Sequence, residues 1–211
     1  GLVNGGVLAL APLYASQHYG ANAAAEFYSA AFTGSLLLQW PAGRISDRVD
    51  RRLVIAALAA LAAAASFALA LWSGRLLNWS AVLLFFLWGA GALSFYGIAV
   101  AHMADRAAPG KLAQSAAGLL FVWAAGSIVG PLIMGPLVDL FDVAGMFWFS
   151  GLAALAVSFA MFWRRSTREG PVSKEEFSPQ TGTSVAAGEI AYAEDKPDDA
   201  AGAIAAVNNP R

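Results

Sequence analysis

Across its 211 residues the chain is 58% hydrophobic and 13% charged, about half the charge share of ~25% usual in soluble domains. A formal net charge of −1 and an absence of cysteine exclude a strongly basic nucleic-acid binder and a disulfide scaffold. The charge is unevenly spread: residues 1–163 hold seven Lys/Arg against six Asp/Glu, and the last 48 hold six against eight.

Charge-free runs organise the chain at 1–25, 27–43, 53–74, 76–104, 112–138 and 143–163. A helix needs ~20 apolar residues to cross a ~30 Å hydrocarbon core. Every run but the second reaches that length, and the second gains its turn from Ala23–Ala25, with Glu26 at the interface. Their Ala, Leu and Gly content lacks period-two alternation, which favours helices over strands. The expected fold is all-α: a polytopic membrane bundle over 1–165 with six transmembrane helices at about 2–19, 23–43, 53–73, 79–101, 112–137 and 143–163.

The first span carries Asn4, Tyr14 and Gln17. No basic segment precedes it, so it does not read as a signal peptide. It opens within an apolar stretch and without Met, as a piece of a longer protein would. Tyr28, Thr33 and Gln39 mark the second span, whereas the third is alanine-rich and has no polar side chain before Ser66. On the fourth lie Ser94 and Tyr96, with His102 at its end; on the fifth, Gln114, Trp123 and Ser127; the sixth is bland. Asn4 and Tyr96 are the candidates for lining a solute cavity. An amide in an apolar run is costly unless a helix, water or ligand satisfies it, and Tyr96 lies beside Gly97 in mid-span. Tyr19, Trp72, Trp79, Trp148 and Trp163 fit an interfacial aromatic belt. His102 and Asp105 read as an anchoring or latch group with Arg106 in preference to a proton relay. Beyond the bundle, residues 166–211 include Pro171, Pro179, Pro197 and Pro210 among Gly, Ser, Thr and acids, a composition expected to be disordered.

Six spans place Arg44, Arg48, Arg51, Arg52, Arg106, Lys111, Arg164, Arg165 and Arg168 on one side and only Arg75 on the other. The positive-inside rule puts the richer side, and the tail, in the cytoplasm. Between spans two and three runs Gly43-Arg44-Ile45-Ser46-Asp47-Arg48-Val49-Asp50-Arg51-Arg52. An aspartate among four arginines can pair with a guanidinium or face a helix N-terminus. This loop resembles motif A of the major facilitator superfamily, Gly-x-x-x-Asp-Arg-x-Gly-Arg-Arg. Gly43, Asp47, Arg48, Arg51 and Arg52 match, and Asp50 stands where the family usually has Gly. A second resemblance lies in span five. Gly126-Ser127-Ile128-Val129-Gly130-Pro131-Leu132-Ile133-Met134-Gly135 is similar to the family's Gly-x-x-x-Gly-Pro-x-x-Gly-Gly stretch, with Met134 in place of one Gly. Gly126 and Gly130, one turn apart, offer a flat face for close helix approach, and Pro131 invites a kink. Gln39-Trp40-Pro41, the run from Tyr96 to His102, and Asp105-Arg106 resemble a YcaD-like bacterial branch.

The resemblance implies the C-terminal half of a twelve-helix secondary active transporter, which moves a small solute across the cell inner (plasma) membrane by alternating access. Its partners would be the solute, the lipid bilayer and an N-terminal six-helix half. In the family the motif A loop is a cytoplasmic latch against the other half, the first and fourth helices of each half line the cavity, and the third and sixth face lipid. No cofactor, metal or nucleic acid is expected. Nor is an enzyme: the spans bury no acid, His18 and His102 sit near span ends, and neither a Gly-x-Ser-x-Gly elbow nor a Gly-x-x-x-x-Gly-Lys loop is present. The alternative is a six-span membrane scaffold whose tail cluster Glu194-Asp195-Lys196-Pro197-Asp198-Asp199 recruits a partner.

Overall fold

The computed structural model describes residues 1–20, 22–107 and 111–167. The tail expected over 166–211 falls outside them, save for positions 166 and 167, which close the last helix. In chain order the helices are α1 (Leu2–His18), α2 (Ala23–Ser46), α3 (Arg51–Leu71), α4 (Asn78–Ala92), α5 (Phe95–Ala104), α6 (Leu112–Phe141) and α7 (Ala144–Thr167). Because α4 and α5 run on as one 27-residue stretch, Asn78–Ala104, the seven helices make six spans. Four stretches are long and apolar enough to cross a bilayer: Arg51–Leu71, Asn78–Ala104, Leu112–Phe141 and Ala144–Arg164. The 17 residues of α1 rise only about 25 Å. The 24 residues of α2 suffice in length but include Glu26, Gln39 and Arg44.

The principal packing pairs are α3 with α7, α2 with α4, and α1 with α6, with α3 also lying along α4. Exchanging the first three spans for the last three carries the first three of these pairs onto one another, since the second span packs on the fourth as the fifth packs on the first. Both equivalent pairs use the same contact. In α2–α4, Gly34 sits against the Phe86 carbonyl and Gly89 against that of Ala31; in α1–α6, Gly5 sits against Ser127 and Gly130 against Leu2. Without a Cβ the backbones close to direct contact, which suits membrane helices, where packing and not water exclusion drives association.

Tyr14, Phe27, Phe85 and Phe147, all buried, fill the core at the end of the bundle where α2 and α4 begin. Phe27 and Phe85 stack at 4.4 Å, and the Phe147 ring meets Tyr14 edge-on at 5.0 Å. Hydroxyls cross-link the helices: buried Ser66 to buried Ser150 at 2.8 Å, the Trp88 indole N–H to Ser150 at 3.2 Å, and the partly buried Ser158 to the Ala56 carbonyl at 2.8 Å. Proline leaves its mark in α1. Pro12 cannot donate to the Leu8 carbonyl one turn back, and the Tyr28 hydroxyl of α2 donates to that oxygen instead.

The third span is mostly enclosed. Its small alanines let α4 and α7 close around it, and only a stripe at Ala57, Ala60, Ala64 and Leu71 stays open. Much of the α7 surface is open instead, through Leu152, Leu155, Phe159, Phe162 and Trp163. The most exposed long helix is α6, with Phe121, Val122, Ile128, Leu132 and Leu140 all uncovered.

Candidate functional site

Three charged helix ends meet at the short connection between α2 and α3. The last turn of α2 closes on Gly43, whose buried carbonyl accepts from the Ser46 hydroxyl at 2.7 Å and the Asp47 amide at 3.1 Å. Asp47 caps that C-terminus and Asp105 caps the C-terminus of α5. A carboxylate is unfavourable at this end of a helix dipole, so each needs a cation. Arg51, the first residue of α3, supplies it to both: Nη2 lies 3.5 Å from Asp47 Oδ1 and Nε lies 3.0 Å from Asp105 Oδ2. The guanidinium is 4% exposed and Asp105 10%. Burial at that level makes the lattice costly to break, because removing one partner strands the others.

Asp50, in the place where the resembling pattern has Gly, is the N-cap of α3, its Oδ1 accepting from the Arg52 amide at 2.9 Å. The substitution exchanges a flexible turn for a capped one. Arg52 reaches across the bundle, donating from Nη1 to the Arg164 carbonyl at 2.8 Å and tying α3 to the end of α7. Arg44 lies over the Trp40 ring at 4.9 Å, a cation–π contact, and Arg48 points to the exterior at the apex of the connection. The Arg106 guanidinium packs on the His102 ring. Burial first, then the nearby Arg52, holds Arg106 below its ordinary value, with Asp105 and Asp50 opposing; it remains cationic. The expected His102–Asp105–Arg106 group thus extends further than the sequence suggested, because Asp105 also reaches Arg51 on α3. A carboxylate one turn beyond the end of a span, on the arginine-rich side, was the only sign of this.

Halfway along the fourth span the helix breaks at Leu93 and Ser94, with no proline nearby. The buried Asn4 amide of α1 donates to the Ala92 carbonyl at 3.3 Å, and the Ser94 hydroxyl donates to the Ser35 carbonyl of α2 at 3.1 Å. Side chains inserted into the backbone ladder are a recognised cause of helix kinks. Asn4, 8% exposed, is therefore occupied within the bundle. Tyr96, the second residue after the break, is half-buried and tilts against Trp123 of α6 at 5.6 Å. Trp123 Nε1 is a buried donor without a hydrogen-bond partner among the described residues.

Gly126 and Gly130 both meet the start of α1, around its N-cap Gly1, Leu2 and Gly6, and Gly1 and Gly5 meet α6 in return. Gly135 has no neighbour within 4 Å of the position a Cβ would take. Among the described residues, no group of three or more His, Asp or Glu side chains gathers to hold a metal.

A family model described as Major Facilitator Superfamily matches residues 1–203. Among curated proteins, the chain is similar to a protein named "Uncharacterized MFS-type transporter YcaD" from Escherichia coli (strain K12 / DH10B). They are 29% identical over 144 residues, covering 67% of this chain and 36% of that protein. A protein of the same name from Salmonella newport (strain SL254) is 30% identical over 133 residues, 62% of this chain and 33% of its own length. The matched stretch thus spans about a third of these relatives. No solved structure matches the chain.

Proposed function

The chain belongs to the Major Facilitator Superfamily, a family of membrane transporters, and from that premise we propose that it forms the C-terminal six-helix half of a secondary active transporter carrying a small solute by alternating access. The curated relatives it resembles carry the transporter name in full, and the multi-pass helical bundle agrees with it. In this reading an N-terminal half of the same protein packs against α1, α2 and α6, whose open apolar faces the described residues leave uncovered. The solute is held between the two halves, and rocking of one against the other exposes it to each side in turn. The bundle sits in the cell inner membrane with its arginine-rich end in the cytoplasm, as the nine-to-one distribution of basic residues favours.

The observation that carries the mechanism is the Arg51 lattice. One guanidinium ties the C-terminal ends of α2 and α5 to the start of α3, so these spans move as one piece at the cytoplasmic end. Arg48, exposed at the apex, reaches the partner half and latches the outward-facing state; rocking inward breaks that contact and leaves the buried lattice whole. Tyr96 with Trp123 forms the aromatic wall of the cavity. Asn4 acts from behind that wall by bracing the break that sets the direction of α5. Replacing Asp47 with Asn in the complete protein removes one arm of the lattice while preserving size. At matched expression, solute uptake or efflux is expected to fall at least tenfold, the scale of a ~1.4 kcal/mol bias between states. Unchanged transport would refute the role given to the lattice.

A further inference from the structure

At the end of the bundle opposite the arginine-rich connection, α2 and α4 leave between them a groove of about 420 Å³, lined by Glu26, Ser29, Thr33, Trp79, Leu83 and Phe86 among others. We propose that this groove seats a membrane lipid bearing a primary ammonium head, of the phosphatidylethanolamine type.

The walls are graded along their length. Glu26 and Trp79 stand in the first turns of α2 and α4, at the level of lipid headgroups. Thr33 and Phe86 lie seven residues further along each helix, about 10 Å deeper, with Ala30, Val82 and Leu83 between. The groove thus offers an ammonium both a carboxylate, for charge-assisted hydrogen bonds, and an indole, for cation–π attraction. A neighbour holds Glu26 in place, since Asn78 Nδ2 donates to its Oε2 at 2.8 Å, which leaves Oε1 for a second donor. The apolar length below, through Ala30, Val82, Leu83 and Phe86, accepts the upper part of an acyl chain. A headgroup lacking the ammonium meets Glu26 with like charge only. This inference requires that the bundle lie in a bilayer and is independent of what the protein transports.

The test uses the purified full-length protein, stripped of lipid and titrated with palmitoyl-oleoyl phosphatidylethanolamine or phosphatidylglycerol, with bound lipid counted by native mass spectrometry. Wild type is expected to retain the ethanolamine lipid in preference to the glycerol lipid. Glu26→Gln and Trp79→Leu should each weaken the ethanolamine lipid about fivefold, whereas the glycerol lipid should be retained no less by either variant and somewhat better by Glu26→Gln, which removes a like charge. Asp142→Asn, at the same end but outside the groove, should change neither. Equal retention of the two lipids by wild type would overturn the proposal, as would equal weakening in Asp142→Asn. Ethanolamine-lipid binding indifferent to both groove variants would also overturn it, since the lipid would then be held elsewhere.

Discussion

Replacing Gly130 with Ala tests the backbone contact between α1 and α6, and its size follows from the geometry. A Cβ at 130 would lie 2.8 Å from the Gly6 nitrogen, and closer still to the Leu2 carbonyl oxygen, against an ordinary contact of 3.4 Å or more. Both obstacles are backbone, so no side chain can swing aside, and the helices must part by at least about 0.6 Å, the difference between those distances. Gaps of this order forfeit a quarter to a half of each dispersion well along the seam, and overpacking of this kind costs about 1–3 kcal/mol. Alanine's better helix propensity offsets up to about 1 kcal/mol. Gly135→Ala receives the same propensity gain and meets nothing within 4 Å, so the difference between the two variants isolates the steric cost, expected at about 2 kcal/mol. Equilibrium unfolding of the full-length protein by steric trapping in bicelles measures it. If the two variants differ by less than about 0.5 kcal/mol, within the spread of ordinary surface changes, the glycine seam does not hold these helices.

Arg51→Leu removes the buried guanidinium that Asp47 and Asp105 share and should destabilise the protein by about 3 kcal/mol. Adding Asp105→Asn to that variant should recover part of the loss, and the same unfolding measurement reads both. Tyr28→Phe removes the donor to the Leu8 carbonyl and should cost about 1 kcal/mol. In a Pro12→Ala background the restored backbone N–H satisfies that carbonyl, so the same change should cost almost nothing. A double-mutant cycle with no coupling would show that the hydroxyl does not replace the missing amide.

The sequence reads well where each span announces itself locally. Uninterrupted apolar runs between charges mark the helices, and their ends agree with the observed ones to within a few residues, as at 53–73 against Arg51–Leu71. The break in the fourth span was hidden because it depends on Asn4 and Ser35, which approach Ala92 and Ser94 only in the folded bundle. The same holds for Asn4: a lone amide stands out in an apolar run, but its backbone acceptor at Ala92 is set by packing between two spans. Gly126 and Gly130 stand out by spacing and both meet α1, whereas Gly135, five residues beyond Gly130, points about 140° away around the helix and has no neighbour among the described residues within 4 Å of a Cβ position. Asp50 looked like the loss of a turn glycine. Its value as a cap depends on α3 starting at the very next residue, a boundary that composition does not fix. Asp105 was legible as a charged span end, but its link to Arg51 joins residues 54 positions apart and is a property of packing.

Alternating access is tested most directly at Tyr96. In a full-length protein whose only cysteine is introduced by Tyr96→Cys, a membrane-impermeant thiol reagent is applied in turn to each face of oriented vesicles. Labelling from both faces is predicted, with the balance shifted when Asp47→Asn is added. Labelling from one face alone, or a balance indifferent to Asp47, would contradict a cavity that opens to both sides under the control of the arginine-rich latch.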